Sequence, residues 1–312
     1  MPIDFEKLKI ECHGRWSGIF DHFGVEIGTG KHCPCPSCGG TDRFRFDGFD
    51  NNGSYICNQC GAGDGFSLLM KVRGWDFIET IKQVSEVVGM VEISETKEQK
   101  VVDPAIALRQ LYISSKKLEP GDQVSKYLRS RGLVLTPKDI MFCPECYESD
   151  TKKKMPAMIA IIKNKTGDAI GMHRTYLNGN KKAEIPSPKK MMPPKNPLNG
   201  CAVRLFDPKD KMFESEKLGV AEGVETAMAA AQLSGIATWA CLSTSLLESF
   251  EPPEGIKEIV IFGDCDANFA GQKSAYILAN RLYLKDYLVE VEIPKSGDYN
   301  DELDRLTDRL GK

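Results

Sequence analysis

Residues 258–271 read EIVIFGDCDANFAG. An apolar run, Ile259 to Phe262, meets a glycine and then two aspartates spaced two apart. A short continuous apolar run bounded by turn residues suits a strand buried on both faces. Asp264 and Asp266 therefore stand at its carboxyl end, where both carboxylates can face one side. Upstream, Leu218–Ala221 reads as a second buried strand that stops at Glu222-Gly223, before a helix over Val224–Leu233. A strand over Ile236–Leu242 follows. Downstream come a helix from Ala270 to Lys285, a strand over Tyr287–Ile293, and Gly297-Asp298-Tyr299-Asn300-Asp301 opening a last helix. This alternation predicts α/β architecture with a mainly parallel, doubly wound sheet. In such sheets ligands gather at the carboxyl ends of the strands, where Glu222, Asp264, Asp266 and Asp298 all fall. So much negative charge repels itself without a cation, and a carboxylate-rich oxygen site suits Mg²⁺ or Mn²⁺. Taken singly, Asp298 and Asp301 read equally well as helix N-caps.

The N-terminal part carries Cys35-Pro-Ser-Cys38 and Cys57-Asn-Gln-Cys60, a C-x2-C-x18-C-x2-C pattern. Each pair suits a tight knuckle that aims two thiolates at one ion, and four thiolates close a tetrahedral Zn²⁺ site. Asp42–Phe46 alternates as a strand and Ser54–Ile56 reads as its partner, which makes the segment a zinc ribbon. One structural Zn²⁺ per chain is expected, with no open position for water. Arg43, Arg45, Phe44 and Phe46 offer charge and stacking to nucleic acid, with at least one phenylalanine expected in the small core. Gly65–Met70 and Trp75–Val88 have helical apolar spacing and are expected to cover the ribbon. Cys143-Pro-Glu-Cys146 lacks a partner pair and is read as incidental.

The chain has 312 residues and a formal net charge of −3, enough for two or three domains. The near-neutral total hides an uneven distribution: residues 1–90 carry −3, residues 91–210 carry +8 and residues 211–312 carry −8. Lys152 to Lys195 holds 11 basic residues against Asp168 and Glu184, a footprint for phosphates. Within it, a hairpin turns at Lys165–Asp168. The Pro/Lys-rich stretch 186–197 (PSPKKMMPPKNP) is expected to be irregular loop. Val91–Asp103 reads as linker. No apolar run reaches the length of a membrane span, and no signal-peptide core opens the chain. A cytoplasmic location follows as an expectation, and cysteines that bind metal rather than form disulfides.

Three acidic motifs, GVAEGVETA (219–227), IFGDCDANFAG (261–271) and KSGDYNDEL (295–303), resemble the Toprim domain of replicative primases, topoisomerases and some nucleases. HCPCPSCGGTDRFRFD (32–47) with YICNQCGAGDGFSLL (55–69) is similar to the zinc-binding domain of phage and plasmid primases and primase-helicases. PAMIAIIKNKTGDAIGMHRTYLNGNKKAEIPSPKKMM (156–192) resembles the stretch that precedes Toprim in those proteins. The resemblance implies a phage- or plasmid-type DNA primase that makes short RNA primers on single-stranded DNA by metal-dependent nucleotidyl transfer. It implies Glu222 as acid/base or metal partner, Asp264 and Asp266 as catalytic Mg²⁺ ligands, and Asp298 as a further metal ligand. Arg174, Lys181, Lys182, Lys189 and Lys190 are expected to hold the phosphates of template or ribonucleoside triphosphates, and His173 is left out of the site. The expected domains are a zinc-ribbon DNA-binding domain (1–90), a linker (91–108), a basic N-terminal subdomain of the primase core (109–210) and a Toprim catalytic domain (211–312). No G-x-x-x-x-G-K-[ST] occurs, so unwinding is expected from a replicative helicase in trans. The rival readings are a non-catalytic Toprim/zinc accessory protein of replication or recombination, and a Toprim nuclease. A topoisomerase would need a separate cleavage domain with a nucleophilic tyrosine.

Overall fold

The computed structural model describes residues 4–28, 32–46, 51–90, 103–213 and 216–310. Contacts divide the chain into two compact units, Met1–Val101 and Val102–Lys312. Residues 91–102, most of the expected linker, lie outside the described residues, and residues 104–108 open a helix.

The first unit runs α1 (Phe5–Cys12), α2 (Trp16–His22), β1 (Cys33–Cys35), β2 (Gly39–Phe46), β3 (Tyr55–Cys57), β4 (Gly61–Gly63), α3 (Gly65–Arg73) and α4 (Phe77–Val87). Its sheet is antiparallel in the order β1-β2-β3-β4, with Phe44 opposite Cys57. Asp4, Asp64 and Asp76 cap α1, α3 and α4 through their carboxylates, satisfying amides that a helix start leaves open. Trp16, Phe20, Phe44, Tyr55 and Phe66 fill the core under the ribbon. Trp16 lies flat on Gly65, where an added Cβ would come within 2.2 Å of its ring. The helices α1 and α2 were not foreseen: their apolar residues are sparse, and Leu8, Cys12, Ile19 and Phe20 take on meaning only against the ribbon's core.

The second unit runs α5 (Pro104–Ser114), β5 (Lys116–Lys117), α6 (Gln123–Ser130), β6 (Ile140–Glu148), β7 (Lys153–Lys163), β8 (Ala169–Asn178), β9 (Lys181–Lys182), β10 (Lys189–Met191) and β11 (Ala202–Val203). It continues through β12 (Leu218–Ala221), α7 (Val224–Ser234), β13 (Thr238–Ala240), α8 (Thr244–Ser249), β14 (Glu258–Phe262), α9 (Ala270–Tyr283), β15 (Leu288–Glu292) and α10 (Tyr299–Leu310). One mixed sheet runs β10-β8-β7-β11-β13-β12-β14-β15, with β6 also on β7. β13, β12, β14 and β15 are mutually parallel and the remaining pairs antiparallel. The two-residue β11 joins the halves, pairing with both β7 and β13, so the sheet is continuous across residues 210 and 211.

Both sheet faces are covered. Met158, Ala160 and Ile162 share one core with residues of α6, α7 and α10, whereas Ala157, Ile159 and Ile161 share another with Leu108 and Leu111 of α5. This is the two-residue period of β7 dividing its side chains. Helix α7 is buried from Val224 to Ala231 and carries four alanines there, which lets its backbone lie close to the sheet. The stretch 186–197, expected to be loop throughout, holds one regular element. Between Pro188 and Pro193, Lys189–Met191 pairs with β8, and the Met192 amide donates to the Met172 carbonyl. Prolines lack only their own N–H, so residues between them remain free to form a ladder.

Candidate functional site: an acidic centre braced by lysines

Glu222, Asp264 and Asp298 sit where β12, β14 and β15 end, and backbone pairing continues past the strand ends to hold their loops together. The Leu242 amide donates to the Glu222 carbonyl at 2.7 Å, and the Cys265 amide to the Gly297 carbonyl at 2.8 Å. The second bond joins the loop carrying Asp264 and Asp266 to the loop carrying Asp298. Helix α9 presses on the first loop through Gly271, where a Cβ would lie 2.6 Å from the Asp264 carbonyl oxygen. The Gly271 amide donates to Asp266 Oδ2 at 2.9 Å. Asp266 is exposed.

The carboxylates act on one another. Burial first, then the charge of Asp266, pushes Glu222 up to about 7, with Lys189 opposing. Burial, then Glu222, Asp298 and Asp266, pushes Asp264 up to about 7, again against Lys189. Asp264 Oδ1 is buried and has no hydrogen-bond partner among the described residues. A buried carboxylate oxygen among like charges is stabilised by a cation, and oxygen donors of this kind fit a hard divalent ion. Asp298 and Asp301 do form the cap that their sequence allowed. Asp298 Oδ1 accepts from the Asp301 amide at 2.9 Å, and Asp301 Oδ2 from the Asp298 amide at 3.2 Å.

Glu225, one turn beyond Glu222 on α7, was missed by sequence reasoning. It is 6% exposed, accepts a hydrogen bond from the Tyr127 hydroxyl at 2.6 Å, and meets Lys182 Nζ at 2.9 Å and Lys189 Nζ at 3.9 Å. Despite its burial, those lysines and the Tyr127 hydroxyl hold its carboxyl far below the ordinary range. It thereby ties α6, β9 and β10 to the helix that follows the first acidic motif. The available signal was a single charge inside a helix otherwise apolar or small from Val224 to Ala231.

The expected basic surface divides by pleat. Lys189 stands opposite Thr175 on β8 and Lys190 opposite Arg174, so the two lysines point to opposite faces. Lys189 and Lys182 turn to Glu225. Lys190, expected at phosphates, is 9% exposed and pairs with the fully buried Glu148 and with Asp150. Arg174 shares that face, donating to the Tyr147 carbonyl at 3.4 Å and lying over the Tyr176 ring. Lys181 is exposed. His173 is buried between these groups. Burial, then Lys189, pushes it down to about 3, so it is neutral, and its Nδ1 has no hydrogen-bond partner among the described residues.

In the first unit, the sulfurs of Cys35, Cys38, Cys57 and Cys60 lie within 4.8 Å of one another, the only such group of three or more metal-binding side chains among the described residues. Two amides, of Gln59 and Cys60, donate to Cys57 Sγ at 3.4 Å, which favours its thiolate. This all-sulfur set fits structural Zn²⁺. Phe44 is fully buried and stacked with Tyr55, and Phe46 packs edge-on to Phe20. Cys143 and Cys146 flank a bulge in β6 and are both buried.

Family models match three consecutive parts of the chain: the zinc-binding domain of primase-helicase over residues 30–66, a domain of unknown function over 103–205, and the Toprim domain over 217–307. The chain thus joins a primase-type zinc ribbon to a Toprim domain, as the sequence motifs anticipated. Among solved structures it is similar to the zinc-binding and RNA polymerase domains of the Aquifex aeolicus primase. That match has 16% identity, covers 100% of this chain and 84% of that one, and has a TM-score of 0.46. It is also similar to the primase fragment of the bacteriophage T7 primase-helicase, with 14% identity, 89% and 96% coverage and a TM-score of 0.38. A DNA primase domain from Pseudomonas aeruginosa matches with 16% identity, 67% and 78% coverage and a TM-score of 0.42.

Proposed function

We propose that this chain is a DNA primase that joins ribonucleotides into short primers on a single-stranded DNA template. The observation that carries this reading is the acidic centre at the strand ends, with an orphaned Asp264 oxygen, in a chain that also holds a primase-type zinc ribbon. Asp264 and Asp266, with Asp298 beside them, would hold Mg²⁺ or Mn²⁺. Such an ion would neutralise triphosphate charge, and a pair of ions would stabilise the attacking and leaving oxygens of an in-line displacement. Glu222, its carboxyl pushed up to about 7 by burial and Asp266, takes the proton of the attacking 3′-hydroxyl or holds a second ion. Lys189 and Lys182 meet the triphosphate, their ammonium groups held in place by Glu225, so the positive field is pre-positioned. Lys181 adds charge toward the template. Arg174 and Lys190 share the sheet face opposite Lys189, and Lys190 is paired there with Glu148 and Asp150, so both stay outside this set. The ribbon helps select the template site. No helix among the described residues is long and apolar enough to cross a membrane.

The test is primer synthesis from labelled ribonucleotides on mixed-sequence single-stranded DNA with Mg²⁺ or Mn²⁺. Oligoribonucleotides should form with the parent and be lost in Asp264→Asn. If the parent makes none and Asp264→Asn matches it in every assay, the catalytic reading fails. Cleavage of the DNA by the parent would make the protein a nuclease instead.

A further inference from the structure

Cys143-Pro144-Glu145-Cys146 lies in β6, outside the acidic centre and the zinc ribbon. On a regular strand, side chains three residues apart point to opposite faces. Here the ladder is shifted. Cys143 stands opposite Ala157 of β7 and Cys146 opposite Met155, so three steps on β6 match two on β7. The extra residue is a β-bulge, and it turns both sulfurs to one face, where they share a core with Leu108, Leu111 and Tyr176. Cys143 is 1% exposed and Cys146 3%. The bulge lies at an edge. β5 pairs with Met141 and Phe142, and past Phe142 no described strand covers that side of β6. Pro144 brings no amide to a ladder there, and Glu145 is exposed.

The two sulfurs are chemically unequal. The Cys146 thiol donates to the Cys143 sulfur, joined by the Ser114 hydroxyl 3.8 Å away, the Glu145 amide and the Ser115 hydroxyl. Together they hold the Cys143 thiol below its usual range despite burial. The same contact, then burial, pushes the Cys146 thiol far up. Cys143 is therefore the nucleophile of the pair and Cys146 its proton-bearing neighbour. Metal binding does not account for them. Among the described residues no third His, Cys, Asp or Glu joins them in a metal-sized group, and a closed zinc site takes four ligands.

We propose that Cys143 and Cys146 are a modification site: a dithiol that closes to a reversible disulfide on meeting a two-electron oxidant such as hydrogen peroxide. The Cys143 thiolate attacks one peroxide oxygen, the O–O bond breaks, and the departing hydroxide takes up the proton that Cys143 had released. The Cys146 sulfur then displaces hydroxide from the Cys143 sulfenic acid. The S–S bond forms, and the Cys146 proton leaves in a second water. Two thiols are oxidised and one peroxide is reduced to two waters. A molecule of that size needs only a local opening of the strand edge. A small dithiol reverses the bond by exchange. The site is independent of the primase reading.

The experiment treats the full chain, with its zinc, with a slight molar excess of hydrogen peroxide. Remaining thiols are then alkylated under denaturing conditions, and tryptic peptides are weighed. Peptide 139–152 holds these two cysteines and no other. It should lose two hydrogens and escape alkylation, tenfold or more faster than Cys12 is lost, the buried thiol that burial pushes up to about 12. Dithiothreitol should restore both thiols. Cys146→Ser should stop at the sulfenic acid of Cys143, trapped by a cyclic 1,3-dione, and Cys143→Ser should trap none. If both thiols of 139–152 stay alkylatable, or oxidise no faster than Cys12, the proposal is overturned. Cys143 carried on to sulfinic acid beside an alkylatable Cys146 also overturns it, as does a second zinc per chain that Cys143→Ser removes. Should either variant fail to fold, the parent's peptide decides alone.

Discussion

Glu222 and Asp264 keep their protons to about pH 7 in the metal-free fold, whereas unfolded carboxyls lose theirs near pH 4. Between those values the folded chain binds more protons than the unfolded one. Stability of the second unit therefore falls as pH rises from about 4 to 7, by ~2–4 kcal/mol. Thermal melts in EDTA should show this slope, and Asp264→Asn should flatten it. A parent melting profile that is level across the window would contradict the crowding of these carboxylates. Glu148 behaves oppositely. Lys190 and the amides of Asp150 and Thr151 overcome its burial and hold it down at about 2. Its contribution is thus complete above about pH 4.5 and lost as pH falls toward 2. Glu148→Ala leaves the Lys190 ammonium with Asp150 as its remaining counter-charge and takes the acceptor from the Asp150 and Thr151 amides, and should cost about 1–3 kcal/mol at pH 7, read by denaturant midpoint. A loss under 1 kcal/mol would mean that Lys190 reaches water. At this scale the four cysteines and the D-x-D were legible in the sequence because their spacing is itself the chemistry. Glu225 was not, since its partners Tyr127, Lys182 and Lys189 lie on three other elements.

At the scale of elements, the start of α9 and the loop carrying Asp264 form one piece through Gly271. Gly271→Ala forces its methyl against backbone at 2.6 Å, which side-chain repacking cannot relieve. Primer synthesis should fall at least tenfold while the melting temperature drops by only a few degrees. Activity equal to the parent would show that the loop's position is uncritical. The buried strands β12 and β14 were readable because parallel strands covered on both faces are continuously apolar. The short strands β10 and β11 were not: two or three residues carry no period, and only the neighbouring ladder selects them. The same holds for the division of Lys189 and Lys190, adjacent in sequence but sent to opposite faces by the pleat of a strand the sequence did not reveal.

At the scale of the whole molecule, the two units carry different dependences. The first holds a small sheet and four thiolates, so much of its folding energy should come from Zn²⁺. Metal analysis should find about one zinc per chain. Stripping it with a strong chelator, or introducing Cys57→Ser, should melt the first unit and leave the near-ultraviolet signal of Trp239 in the second. Simultaneous loss of both units would refute their independence. The sequence by itself determined the order of modules, the zinc knuckles and the acidic strand ends, because each depends on residues close along the chain. Only the tertiary structure decided which lysines face the acidic centre, and that Glu225 anchors two of them. Those are meetings of distant residues, set by the pleat and by the packing of α6 and α7 on one sheet, and no local pattern encodes them.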